Sequence, residues 1–417
     1  MVDICDQDRL ISERATRLVI QRTLTSVGEL VQMPKSQSLA IPLLLLWLVG
    51  NALRLAILAV PPVIPALRAE LHLSGTEVGV LTGLPVVLFA VAALVGSRLV
   101  GRLGVVVAAV TGLFLTALGS ALRGITPDVL TLFAASTVMG IGVAVTQPAM
   151  PALVGQWLPR HIVLGTGTYT NGLLVGEILP VAFFPLLLSV FGESWRATFV
   201  FWSVPIAAVG LLLLAMAPRD AGRPVASAAR WWPEMPLRDI IRLGVIFSGA
   251  SALYYGSNAI LPEYLSQAGR PDLVNPALTA LNAGQLPASL LLIVFARHLE
   301  RKAWPFMLAG IISVVCIGLI VVTANIVTVA SAAVLGFVIG AAFALGLTLP
   351  PLLSSTGEVA RVSAAMFTIG YAGAMVITVM GGVAWDLTGV ERFGFLPIAL
   401  SALPLIFLTP TISFDRR

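Results

Sequence analysis

Two charges lie deep inside long apolar stretches of this 417-residue chain: Arg54, within "NALRLAILAVPPVIP" (51–65), and Glu177, within "NGLLVGEILPVAF" (171–183). A guanidinium presents a planar fork of donors that suits a carboxylate or another small anion. A carboxyl in the same surroundings can exchange a proton. Trp47, Asn51 and Arg54 follow at i, i+4 and i+7, so one helix face offers an aromatic wall, an amide and a fixed cation. Ser251, Tyr254, Tyr255 and Asn258 make a comparable polar set further along; Asn282, Gln285 and Ser289 make another, and Gln147 stands beside Pro148. None of this is covalent or metal chemistry. His72, His161 and His298 fall far apart in loops; Cys5 and Cys316 are too few for a disulfide framework or a metal cluster. There is neither a phosphate-binding glycine loop nor a Gly-Xaa-Ser-Xaa-Gly elbow. The expectation is a protein that is not an enzyme, with no cofactor and no metal, driven by a gradient of ion or substrate rather than by ATP.

The elements that must position these groups are membrane spans. The chain is 58% apolar and 11% charged, against about a quarter charged in soluble domains. Its charges punctuate it at span-sized intervals. Glu77–Arg98, Arg102–Arg123 and Arg242–Glu263 each enclose 20 uncharged residues, and Arg196–Arg219 and Arg392–Asp415 enclose 22. Asp272–Arg297 and Arg361–Asp386 enclose 24, while Lys302–Glu358 encloses 55, enough for two helices with a turn near Asn325. About 20 residues at 1.5 Å rise cross a bilayer core. The pattern predicts an all-α membrane protein with twelve spans near 39–66, 77–97, 104–124, 128–154, 163–190, 196–217, 240–265, 276–296, 304–323, 327–353, 362–386 and 393–411. "SGTE" at 74–77 has capping-box spacing for the second span.

An even number of spans puts both termini on one side. With that side cytoplasmic, 19 of the 25 Lys and Arg lie inside, five (Arg68, Arg123, Arg196, Arg270 and Arg392) lie outside, and Arg54 is the remaining one. This asymmetry accounts for the net charge of +5 without a nucleic-acid partner. Residues 1–38 read as a cytoplasmic tail or, through their leucines and isoleucines, a surface helix, and not as a signal peptide. Residues 218–239, rich in Pro, Arg and Ala, read as a cytoplasmic linker with Trp231 and Trp232 as interfacial anchors, and 412–417 as a second cytoplasmic tail.

Two segments, 39–217 and 240–411, repeat each other at an offset near 200. Met150–Gly172 aligns without gaps to Pro350–Ala372, Pro62 falls on Pro262, Leu84–Pro85 corresponds to Leu286–Pro287, and Arg54 falls on Tyr254. Duplicated six-helix units place a substrate site at mid-membrane between the halves.

Six plus six spans around a basic linker resemble the major facilitator superfamily. The loop "SRLVGRLG" (97–104) keeps Arg102 and Gly104 of its signature but has Gly101 where an Asp is usual. "LR" at 53–54, "LTGLP" at 81–85, "LPRHIVLGTGTY" at 158–169, "YYGSNAILPEYL" at 254–265, "LGLT" at 345–348 and "GVAWDLTG" at 382–389 resemble its cyanate and nitroimidazole transporter branch. The resemblance covers roughly residues 40–410. It implies two six-helix bundles related by a pseudo-two-fold axis, with the Tyr254–Tyr255 pair lining the cavity and a polar residue at Gln147.

On this reading Arg54, near mid-depth and too deep to snorkel, is a substrate ligand; the alternative is a structural Arg tied to backbone carbonyls or a carboxylate. Adjacent tyrosines point apart, so one is expected in the cavity and the other in packing. For Gln147, Asn258, Asn282 and Gln285 the alternative to cavity contact is helix–helix hydrogen bonding. Glu177, in a span running parallel to the first and at similar depth, is expected near Arg54, as an ion pair or a proton-coupling group, or else at the lipid edge. The functional expectation is a monomeric secondary transporter of the cytoplasmic membrane, carrying a small anion or compact nitrogen heterocycle, with protons as a possible coupling ion. The alternative is a proton-coupled exporter of cationic drugs acting through Glu177.

Overall fold

The structure, a computed structural model, describes residues 39–159, 161–218, 233–289, 291, 299, 302–354 and 359–412; the side chains of 90–103, 162–163, 351 and 360 are not described. The 1–38 tail with Cys5, Arg160, residues 219–232 with Trp231 and Trp232, His298, and the side chain of Arg102 therefore lie outside the described residues.

Everything described is helix or short connection. The first half comprises α1 (Ala40–Leu58), a 3-10 turn (Pro61–Val63), α2 (Ile64–Leu71), α3 (Gly75–Leu103), α4 (Val105–Arg123), α5 (Val129–Trp157), α6 (Ile162–Ala182), α7 (Phe184–Val190) and α8 (Trp195–Met216). The second comprises α9 (Leu237–Gln267), α10 (Val274–Ala283), α11 (Trp304–Thr323), α12 (Ile326–Leu353), α13 (Val359–Thr388) and α14 (Phe395–Leu400), which opens the last apolar segment, Glu391–Thr411. Among the described residues eight helical segments are long and apolar enough to cross a membrane, or nine when α6 and α7, bent by 46°, count as one. The helices α3 and α9 add 29 and 31 residues. Leu118, Val204, Leu214, Val322 and Leu387 point outward and are exposed. Apolar side chains so widely exposed need a hydrocarbon solvent.

Local chemistry explains the ends. At Ser74–Glu77 the backbone N–H of Ser74 donates to Glu77 Oε2 at 2.8 Å and that of Glu77 donates to Ser74 Oγ at 3.1 Å, the reciprocal cap its spacing implies. The long interval Lys302–Glu358 breaks at Asn325, whose side chain caps α12 from Val327 N–H at 2.8 Å. The first span breaks between α1 and α2 because Pro61 and Pro62 have no N–H to continue the ladder.

For position along the spans, the end that holds Leu71, Arg123, Gln267 and Thr388 is called distal. There the halves are tied. Arg68 Nη1 donates to Glu263 Oε1 at 2.8 Å, and the guanidinium lies 4.1 Å from the Trp385 ring centre. Asp386 accepts from the first backbone N–H groups of α3, at Gly75 (2.6 Å) and Thr76 (2.7 Å), a favourable place for an anion. Close approach of α3 and α13 depends on Gly75 and Gly382: a Cβ on Gly382 would meet Gly75 O at 2.1 Å.

Candidate functional site

The site begins with two glycines. On α6, Gly172 and Gly176 stand one turn apart, and α1 lies directly against them. A Cβ on Gly172 would sit 2.3 Å from Trp47 O, and one on Gly176 2.3 Å from Asn51 O. Small residues at four-residue spacing let two membrane helices touch at the backbone. The two helices run in the same direction, so the residues just beyond this contact, Arg54 and Glu177, meet.

Arg54 Nε lies 3.3 Å from Glu177 Oε1, an ion-pair contact without hydrogen-bond geometry. Its Nη1 donates to the Tyr255 hydroxyl at 2.6 Å, and the guanidinium stands 5.8 Å from the Phe89 ring centre. Glu177 Oε2 accepts from Gln285 Nε2 at 2.9 Å, and Tyr371 of α13 packs against Phe89 with ring centres 5.4 Å apart. Arg54 and Glu177 are 5% and 4% exposed. The pair belongs to the first half, and each member is held by an amide or phenol of the second. The cluster therefore spans the junction of the two halves, with its charges neutralising each other.

The second half contributes a connected chain. The Tyr254 hydroxyl donates to Asn282 Oδ1 at 2.6 Å, Asn282 Nδ2 donates to Asn258 Oδ1 at 3.0 Å, and Asn258 Nδ2 donates to Tyr254 O at 3.0 Å. Of the tyrosine pair, Tyr255 lines a small cavity beside the cluster, and Tyr254 packs onto Asn282. Tyr254 and Tyr255 form an edge-on pair with centres 5.0 Å apart. Both rings are buried, Tyr255 reaching Arg54 and Tyr254 reaching Asn282. A 100° step per residue still leaves long phenols within reach of one cluster.

The remaining expected residues stand apart from it. Trp47 Nε1 donates to Asn171 Oδ1 at 2.9 Å on the exposed side of the α1–α6 contact. Asn51 is buried with its Nδ2 unpartnered, and Gln147 has its Oε1 buried and unpartnered. Gly83 and Gly284 allow close packing: a Cβ on Gly83 would collide with Met375 Sδ at 2.2 Å, and one on Gly284 with Ala333 O at 2.3 Å. Two charges placed at span ends are not loop charges. Arg123 is wholly buried and Glu263 is 4% exposed. Phe89, Asn171 and Tyr371 escaped the sequence reading. One signal was available for two of them, since the 200-residue offset places Asn171 on Tyr371.

A small cavity adjoins the cluster on its distal side, lined by Leu58, Pro61, Leu81, Thr82, Tyr255 and Asn258, with room for roughly one water. The arrangement can hold an anion or a hydrogen-bonding heterocycle if Arg54 exchanges Glu177 or Tyr255 for it. No pair of groups here is set up to make or break a covalent bond.

Comparison with known proteins agrees with this geometry. Residues 46–378 match the family model of the Major Facilitator Superfamily. The chain is 28% identical over 374 residues to the cyanate transport protein CynX of Escherichia coli (strain K12), covering 88% of this chain and 96% of that protein. It is 25% identical over 371 residues to the 2-nitroimidazole transporter of the same organism, covering 86% and 92%. The fold matches a bacterial homologue of the human lysosomal transporter Spinster, in an inward-facing and occupied conformation, with TM-score 0.69 at 15% identity over 90% of this chain and 96% of that one. It matches a D-xylose-proton symporter equally well, with TM-score 0.69 at 16% identity over 89% and 96%.

Proposed function

The chain belongs to the Major Facilitator Superfamily, and on that premise we propose that it is a secondary transporter whose substrate, a small anion or compact nitrogen heterocycle, docks at Arg54. The observation that carries this reading is how the guanidinium is held. Its partners are side chains from both halves, Glu177 and Tyr255, and not fixed backbone carbonyls. Side-chain partners can turn away to admit a ligand. A deep Arg costs about 2.5–3.5 kcal/mol to insert, and a site that binds anions gives that expense a use. The names of two relatives, a cyanate transport protein and a 2-nitroimidazole transporter, fall within the proposed substrate class.

In this scheme Tyr255, Tyr254, Asn258, Asn282 and Gln285 form the wall of the second half, while Trp47, Asn51 and Gln147 line the approach. Glu177 is the resting counter-ion of Arg54. It yields the guanidinium by taking a proton or by turning wholly to Gln285, which makes it the point where a proton gradient couples. Two bundles, 39–217 and 240–411, joined by the 218–239 linker, rock about the site to give alternating access. The distal ties of Arg68, Glu263 and Asp386 hold one gate shut. The Lys and Arg asymmetry favours a cytoplasmic location for both termini, with the distal gate facing outward.

The test is binding of cyanate and 2-nitroimidazole to purified protein. Loss of a charge-assisted ligand predicts a fall of roughly 10²-fold in cyanate affinity for Arg54→Ala. Uptake into proteoliposomes after a pH jump, compared with Glu177→Gln, reads the coupling. If lipophilic cations alone bind, through Glu177, the chain is instead a proton-coupled exporter and the anion reading fails.

A further inference from the structure

Four charged side chains are buried among the described residues: Arg54, Arg123, Glu177 and Glu263. Arg54 pairs with Glu177, and Glu263 pairs with the half-buried Arg68. Arg123 is left over. It is 0% exposed, and its partners are neutral. Nη1 donates to Ala56 O at 2.8 Å and Nε to Ser136 Oγ at 3.0 Å, the ring of Phe199 lies 5.5 Å away, and Nη2 has no partner. A guanidinium stays protonated in proteins, so among the described residues the interior of the first half holds one buried positive charge with no carboxylate paired to it.

The place of that charge is not arbitrary. Ala56 O is free because the first span breaks just beyond it. The Val60 N–H turns to Ile57 O at 3.3 Å instead of Ala56 O, and the next two residues are prolines. Ala56 lies two residues beyond Arg54 on α1, about 3 Å further along the axis and on the opposite face. The two guanidinium groups therefore flank one helix, separated by about one helix diameter, roughly 10–12 Å.

We propose that Arg123 is a specificity-determining residue that never touches substrate: its uncompensated charge biases the Arg54 site toward anions while its bond to Ala56 O braces the break in the first span. The inference rests on the anion reading of the Arg54 site and deepens it. When Glu177 turns to Gln285 and keeps its charge, it still cancels Arg54, and Arg123 supplies the net charge that a monoanion neutralises on entry; when Glu177 takes a proton, Arg123 adds its attraction to that of Arg54. A neutral heterocycle draws no such benefit. At about 11 Å and an effective dielectric of about 20 the attraction is close to a factor of ten in affinity.

The experiment measures binding of cyanate, a monoanion, and of 2-nitroimidazole, at a pH low enough to keep its acidic ring N–H protonated and the ring neutral, to purified wild type, Arg123→Gln, Arg123→Lys and Ser136→Asp. Glutamine keeps a donor for Ala56 O and removes the charge. Lysine keeps the charge. An aspartate at 136 leaves Arg123 in place and neutralises it, giving a second route should the glutamine variant fail to fold. The expected result is about tenfold weaker cyanate binding in Arg123→Gln and in Ser136→Asp, near-wild-type cyanate binding in Arg123→Lys, and 2-nitroimidazole affinity unchanged wherever it is bound. Cyanate affinity that ignores the charge at these two positions overturns the proposal, as does equal weakening in the lysine and glutamine variants, which would leave Arg123 a structural brace alone. Failure of wild type to bind cyanate, or binding that survives Arg54→Ala, overturns the anion reading instead.

Discussion

Replacing Glu263 by Gln should unlatch the distal gate. The carboxylate is 5% exposed and sits 2.8 Å from Arg68 Nη1, whose side chain is 22% exposed. Glutamine has the same shape and keeps an oxygen for Gln267, which now donates to Glu263 Oε1 at 2.9 Å. The change therefore removes charge and little else. A hydrogen bond between charged groups is worth about 1.5–3 kcal/mol; partial exposure of Arg68 lowers that to about 2 kcal/mol. Arg68 keeps its bond to Leu73 O at 2.8 Å and its stacking on Trp385, so it stays folded against the distal surface. The pair joins α2 to α9 across the halves and would be absent when that gate opens. Its loss should then shift the closed-to-open ratio by roughly 30-fold. Spin labels at the exposed positions Ala69 and Ala268, in a background lacking Cys5 and Cys316, report the separation by pulsed electron resonance. A new population at longer distance is expected in Glu263→Gln. A distance distribution identical to that of the parent would show that the pair holds no gate.

Four further outcomes follow from the local surroundings of single residues. Gly176→Ala places a Cβ 2.3 Å from Asn51 O; α1 must retreat by about 1 Å, at a cost of about 1–3 kcal/mol in thermal unfolding. Gly167→Ala, which faces open space, should stay within about 0.5 kcal/mol. Tyr255→Phe leaves a buried guanidinium donor unpaired and should cost about 1.5–3 kcal/mol, more than Tyr254→Phe, which breaks a neutral bond worth about 1 kcal/mol, in the same melting assay. Asn325→Ala removes the cap of α12 and should cost about 0.5–2 kcal/mol, with faster amide exchange confined to Val327 and its neighbours.

The span boundaries were legible in advance because water and hydrocarbon sort residues by a rule local in sequence. The ninth and tenth spans, read as 304–323 and 327–353, appear as α11 and α12 at Trp304–Thr323 and Ile326–Leu353, since charge-free length and one Asn cap suffice to locate them. The meeting of Arg54 and Glu177 was also within reach, because parallel spans and equal depth constrain it. What lay hidden were contacts that depend on helix rotation and separation. For Gln285 the sequence leaves cavity contact and helix–helix hydrogen bonding open, and packing sets it on Glu177; Arg123, which charge spacing places in an outside loop, is wholly buried against Ala56 O.

Fold class, the limits of spans such as the ninth and tenth, and the presence of two deep charges thus follow from composition and periodicity, because the bilayer acts on each segment independently. Which side chain answers each charge is a property of the packed helices. A shift of one residue in rotation, or of 1 Å at Gly172 and Gly176, would give Arg54 different neighbours, and no interval between charges along the chain records that distance.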